Sequence, residues 1–207
     1  MKIIKGTVDS KIVKLSRPDA IKYIQDKLTL GIIGGEFAIT YDEDDLPITT
    51  LLGSCVAVMI YDSVLQVKGM NHFLLPTSCA QGTSCRFGLY AMEEMLNEMY
   101  KLGCRKENLS AKIAGGANIV HDLSDNIGER NVLFARQFCR SEGIRIVAEN
   151  VLGNNGRVVM LDRNFHTVAK TIANRSMDEK LAQADRALAR AVNKTESAPA
   201  EGGVTLF

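Results

Sequence analysis

Two residues of this chain can do covalent chemistry together: Cys55, in LLGSCVAV, and His72, in GMNHFLLP, seventeen positions later. A thiol is mostly protonated near neutral pH, so an imidazole that accepts its proton generates the thiolate that attacks. Gly53 lets the backbone turn sharply ahead of the cysteine, and the N–H groups of Ser54 and Cys55 are candidates to hold a developing oxyanion. The imidazole in turn needs a partner to fix its tautomer and ring angle; the nearest upstream hydroxyls are those of Thr49 and Thr50. Taken alone, Cys55 reads as a packed thiol beside a turn and the threonines as strand residues. His72 is what makes them a chemical set.

A hairpin must position them. VAVMIY is a short continuous apolar run of the kind that forms a buried strand, and VKGMNHFLLP is a second strand stopped by Pro76. Four or five residues from Asp62 connect them, a hairpin length. With a loop over Asp62 to Leu65, Tyr61 faces Gln66, and counting back six on each strand sets Cys55 across from His72 on one face. A five-residue loop slips the register by one and separates them. His121 and His166 have no comparable pairing and read as surface residues or supports. Cys79, Cys85, Cys104 and Cys139 bring the cysteines to five, an odd number with no CxxC pair, so reduced thiols fit better than a disulfide framework. The spacing of Cys79 and Cys85 suits no usual zinc site, and the glycine-rich turns match neither common phosphate-binding motif. No metal or organic cofactor is expected.

The remaining elements follow from period and punctuation. Residues 1–30 form an N-terminal extension expected to pack loosely, with weak strand alternation in IIKGTVDSKIVKL and a short helix after Pro18. GEFAIT is a strand and YDEDDLP a solvated acidic loop. Met92, Met95, Leu96, Met99 and Leu102 recur at helical spacing between Phe87 and Leu102, a core stripe stopped by Gly103. AKIAGGANI is a strand running into a glycine turn. A second helix covers Glu129 to Glu142 with Gly143 as its cap, and IRIVAE, RVVMLD and TVAKTI are three further strands. MDEKLAQADRALARAVNK is a final helix with an alanine-rich apolar side, and TESAPAEGGVTLF is a disordered tail, giving a third segment over 176–207. Hairpins alternating with helices predict an α/β layered sandwich with a mixed sheet. The 207 residues suit one main domain, over 31–175, at ~150 residues per domain.

Twenty-five basic against twenty-four acidic residues leave a net charge of +1, which argues against general nucleic-acid binding through counterion release. No apolar run approaches the ~18 residues of a membrane span, and MKIIKG opens no secretory signal, so the expectation is a cytoplasmic protein with no direct membrane insertion.

T-x-x-L-G-S-C-V-A-V over Thr49 to Val58, followed by the histidine of G-M-N-H-F-L-L-P and then by RFGLYAM, AKIAGGAN, NIGERNV and GNNGR in that order, resembles the chemoreceptor glutamine deamidases of the CheD family. The resemblance spans roughly residues 31–172. It implies a three-layer α/β/α sandwich related to the deamidase toxins and a Cys-His-Thr triad. The nucleophile falls on Cys55, the base on His72 and the orienting threonine on Thr49, six before the cysteine, with Thr50 as the wrong neighbour on that alignment; Gly53 and Ser54 support the oxyanion. It further implies a protein-glutamine glutaminase, acting without cofactor on methyl-accepting chemotaxis receptors in their cytoplasmic region, beside membrane-bound arrays, and in some members binding a CheC-type phosphatase. Two positions depart from the pattern: Leu152 stands where the family usually has the first glycine of GGNxGR, and Leu89 replaces a commonly polar residue. Rival expectations are a non-enzymatic chemotaxis adaptor that regulates a CheC-type phosphatase or receptor array, and a cysteine protease or other amidase.

Overall fold

A computed structural model describes residues 2–7, 13–15, 29–41, 46–74, 86–119, 127–162, 164–172, 179–183, 186–187 and 190. The described strands are β1 (Lys2–Thr7), β2 (Val13–Leu15), β3 (Leu30–Gly31), β4 (Glu36–Tyr41), β5 (Ile48–Leu52), β6 (Val56–Asp62), β7 (Val67–Asn71), β8 (Leu109–Gly115), β9 (Arg145–Val151), β10 (Arg157–Leu161) and β11 (Thr167–Thr171). Two long helices accompany them, α1 (Arg86–Lys101) and α2 (Ile127–Ser141). The two long helices and most strands start and end within about two residues of the expected bounds, whereas the strand expected to run to Pro76 ends at Asn71, with only an isolated bridge at Phe73 beyond it. The helix expected after Pro18, the acidic loop, Cys79, Cys85, His121 and the tail lie outside the described residues.

The strands divide into a seven-stranded sheet of order β2-β1-β4-β7-β6-β8-β9 and a four-stranded sheet of order β11-β10-β5-β3. β8 and β9 run parallel, joined through α2, whereas the other pairs of the large sheet are antiparallel. β1, from the extension, pairs along its six residues with β4 and so belongs to the large sheet. The class is α/β with mixed sheets.

Alternation along the central strands decides the layers. Phe37, Ile39, Val58 and Ile60 pack against Met92, Met95 and Met99 of α1 and against Val132, Ala135 and Phe138 of α2. The methionine stripe is therefore core. From the other face of the same strands, Ala38, Ala57, Met59 and Met70 pack against Leu30, Ile48, Leu52, Val159 and Leu161 of the small sheet. Among the described residues the layer order is helices, large sheet, small sheet. The small sheet covers this face because β5 and β10 turn every second residue to the buried side, Ile48, Thr50 and Leu52 on one and Arg157, Val159 and Leu161 on the other. Residues 179–183, expected in the final helix, are helical, with Leu181 and Ala182 buried. No helix among the described residues is long and apolar enough to cross a membrane.

Candidate active site

The chain crosses from the small sheet to the large one in three residues, Gly53 to Cys55, between β5 and β6. All three carbonyls of this crossing are tied down. The Gly53 oxygen accepts from the Ala117 N–H at 2.8 Å and the Cys55 oxygen from the Gly116 N–H at 2.8 Å. Between them the Ser54 oxygen accepts from Asn131 Nδ2 at 2.7 Å. In a planar trans peptide the C=O and the following N–H point opposite ways. The N–H groups of Ser54 and Cys55 are consequently aimed away from the Gly115–Asn118 turn and from α2, while Val56 N–H donates to Phe73 O at 3.0 Å.

Glycines are required where this turn presses on the crossing. Gly115 has φ +112°, and a Cβ there would lie 2.2 Å from the Cys55 oxygen. A Cβ on Gly128, at the start of α2, would meet the Gly116 oxygen at 2.4 Å. AGGAN and the IGER that opens α2 thus act as a close-fitting seat for Cys55. A second segment braces the seat: Arg157, buried, donates to the backbone and side-chain oxygens of Asn150 and to the Leu152 carbonyl, and Leu152 N–H donates to Gly115 O at 2.8 Å. Leu152 takes φ 66°, the left-handed region that a glycine enters freely and a leucine rarely.

His72 is clamped through its backbone, donating its N–H to Glu36 O at 2.9 Å and accepting from Gly35 N–H at 2.8 Å. Its ring Nδ1 lies 2.8 Å from Thr50 Oγ1. The same hydroxyl donates to the Ile32 carbonyl at 2.8 Å. A hydroxyl has one proton and a carbonyl can only accept, so Thr50 spends its proton on Ile32 and accepts from Nδ1–H. That chain of bonds assigns the tautomer: Nδ1 carries the hydrogen and Nε2 presents its lone pair. Nε2 is buried without a hydrogen-bond partner, an arrangement that costs free energy in a merely structural histidine. Burial also pulls the His72 pKa from 6.5 down to about 4, so the ring is neutral at physiological pH.

The hairpin places Cys55 on the same face as this ring, by a register two residues from the expected one. Asp62 pairs with Val67 and Tyr61 with Lys68, leaving Ser63 to Gln66 as the loop. Asp62 stays in the ladder because its carboxylate accepts from the Val64 and Leu65 N–H groups and caps the turn. The isolated Val56–Phe73 bridge continues this register, so Cys55 falls opposite Leu74, with His72 its diagonal neighbour. A shift of two preserves the face. Cys55 and His72 are respectively 1% and 6% exposed: both lie in the space between the sheets, not displayed at an open edge.

Thr49 stands apart from this pair. Its hydroxyl donates to Val159 O at 3.0 Å, within the small sheet, and it is Thr50 that meets His72. Along β5 the burial alternates, with Ile48, Thr50 and Leu52 inward and Thr49 and Leu51 outward. Motif position selects Thr49, but the pleat turns its side chain to the wrong face. The signal that finds Thr50 is this alternation, obscured in ITTLL because both faces hold a threonine and a leucine. Asn131, the one asparagine on the buried stripe of α2, also reaches the crossing. His166 pairs with Asp162 at 3.2 Å on an exposed turn and takes no part. Cys104 and Cys139 are core thiols whose pKa values burial pushes up to about 12. No group of three or more potential metal ligands occurs among the described residues.

The family described as CheD chemotactic sensory transduction matches residues 74–171. A protein of Cupriavidus metallidurans named probable chemoreceptor glutamine deamidase CheD is 36% identical over 204 aligned residues, covering 92% of each chain. So high a coverage leaves both Cys55 and His72 inside the alignment. A Xanthomonas campestris protein of the same name is 39% identical, covering 80% of this chain and 83% of its own. One of Ruegeria, named probable chemoreceptor glutamine deamidase CheD 1, is 38% identical, covering 88% and 97%. With identity at this level over four fifths or more of the chain, the chain belongs to the CheD family.

Proposed function

We propose that this protein is a chemoreceptor glutamine deamidase, converting selected glutamines of methyl-accepting chemotaxis receptors to glutamates with release of ammonia. The carrying observation is the chain of hydrogen bonds from the Ile32 carbonyl through Thr50 to His72, which leaves the Nε2 lone pair on the face shared with Cys55. In this reading Nε2 takes the Cys55 proton as sulfur attacks the glutamine amide carbon. The N–H groups of Ser54 and Cys55 hold the oxyanion, the imidazolium returns its proton to the departing ammonia, and a thioester remains. Water, activated by the same Nε2, hydrolyses it and restores the thiol. Thr50, not Thr49, holds the ring throughout. Its oxygen accepts from Nδ1–H and cannot supply a second proton, so the base stays in one tautomer.

The decisive test uses Cys55→Ala and a receptor cytoplasmic fragment, read by mass spectrometry and ammonia release. The variant is expected to keep its fold and lose all conversion, while the wild type converts glutamine to glutamate without cutting the substrate chain. Undiminished turnover by Cys55→Ala overturns the reading, and chain cleavage by the wild type reassigns it to a protease. A CheC-type phosphatase is the partner proposed to regulate the enzyme; association with Cys55→Ala tests that binding separately from catalysis.

A further inference from the structure

We infer that Asn131 is a positioning residue for the reaction: from α2 it fixes the plane of the Ser54–Cys55 peptide and thereby aims the Cys55 N–H at the oxyanion. The inference rests on the deamidase reading above. Asn131 is fully buried on a stripe whose other members are Ile127, Gly128, Val132, Ala135, Phe138 and Cys139. A buried amide in such surroundings is costly unless bonded, and its Nδ2 donates to Ser54 O at 2.7 Å across 77 residues of sequence. The flanking carbonyls, Gly53 O and Cys55 O, are held by backbone N–H groups that every residue but proline supplies. The middle one alone is held by a side chain. It is also the carbonyl of the peptide that carries the nucleophile's own N–H, and rotating that plane swings the donor off its line.

The interlocking of Gly116 and Gly128 keeps the start of α2 fixed against the crossing, so Asn131 acts from a rigid base. Removing one oxyanion donor outright costs about 10²- to 10³-fold in turnover. Loosening its aim should cost about ten- to a hundredfold.

The test compares Asn131→Ala and the near-isosteric Asn131→Asp at pH 8, with Cys55→Ala alongside, on the full chain. Iodoacetamide alkylation of Cys55 is measured in parallel, because displacement of iodide develops no oxyanion and reports only the thiol and its base. Expected for the Asn131 variants is kcat down about ten- to a hundredfold, with KM and the alkylation rate each within about twofold of wild type. Unchanged kcat in a folded Asn131 variant overturns the inference. So does a parallel fall of kcat and alkylation, which would mean that Asn131 merely supports the Cys55–His72 pair. If neither variant folds, Asn131 is a structural residue and the inference falls. Turnover by Cys55→Ala sinks the deamidase reading itself, whereas an inactive Cys55→Ala beside a fully active Asn131→Ala sinks only the role of Asn131.

Discussion

The Thr50 hydroxyl does two things at once: it donates to the Ile32 carbonyl and accepts from His72 Nδ1–H. Thr50→Val keeps the shape and deletes both bonds. Turnover should fall about ten- to a hundredfold because the ring loses its orientation and tautomer, and stability by about 1–3 kcal/mol because buried polar groups lose their partners. Thr49→Val removes a bond to Val159 O inside the small sheet and should leave turnover within about twofold of wild type. Deamidation rates of the two variants decide the matter. The reverse ranking would return the orienting role to Thr49. Cys55, His72 and their shared face were legible in the residues themselves, since side-chain parity survives a two-residue error in the loop. Which threonine turns inward was not legible, because ITTLL offers the same residue types to both faces.

At the scale of elements, the strands and long helices were legible from hydrophobic period, but the layer order was not. Period says that a segment is a strand and which residues it buries; it does not say which sheet the strand joins. β5 and β6 are adjacent in sequence yet lie in different sheets, separated only by the Gly53–Cys55 crossing. Hence the contact of Gly115, Gly116 and Ala117 with that crossing holds the junction of the two sheets. Gly115→Ala would drive a Cβ into the Cys55 oxygen and should destabilise the fold by about 4 kcal/mol, as large as core disruptions get. Gly103 also has a positive φ, +94°, but a Cβ there would meet only the flexible Leu65 side chain at 3.7 Å. Gly103→Ala should therefore cost about 1–2 kcal/mol, the backbone penalty alone. Urea denaturation of the two variants checks the ranking; equal losses would mean that the crossing can shift to make room.

For the molecule as a whole, a neutral histidine buried between two sheets links stability to pH. Above pH 6.5 neither the folded nor the unfolded chain holds the extra proton. Between 6.5 and about 4 the unfolded chain binds it and the native one does not, so stability falls as the pH is lowered; below about 4 both bind it and the loss stops growing. At about 1.4 kcal/mol per pH unit the loss totals about 3 kcal/mol. Unfolding free energies at pH 7.5, 5.5 and 4.5 should show it in the wild type and not in His72→Gln, and parallel curves for the two proteins would rule it out. The thiol and the imidazole ride on the large sheet, whereas the hydroxyl that steers the imidazole rides on the small one. Competence for turnover is thus conditional on two separately hydrogen-bonded slabs staying in alignment: sliding one across the other by a single pleat would leave every strand intact and the enzyme silent.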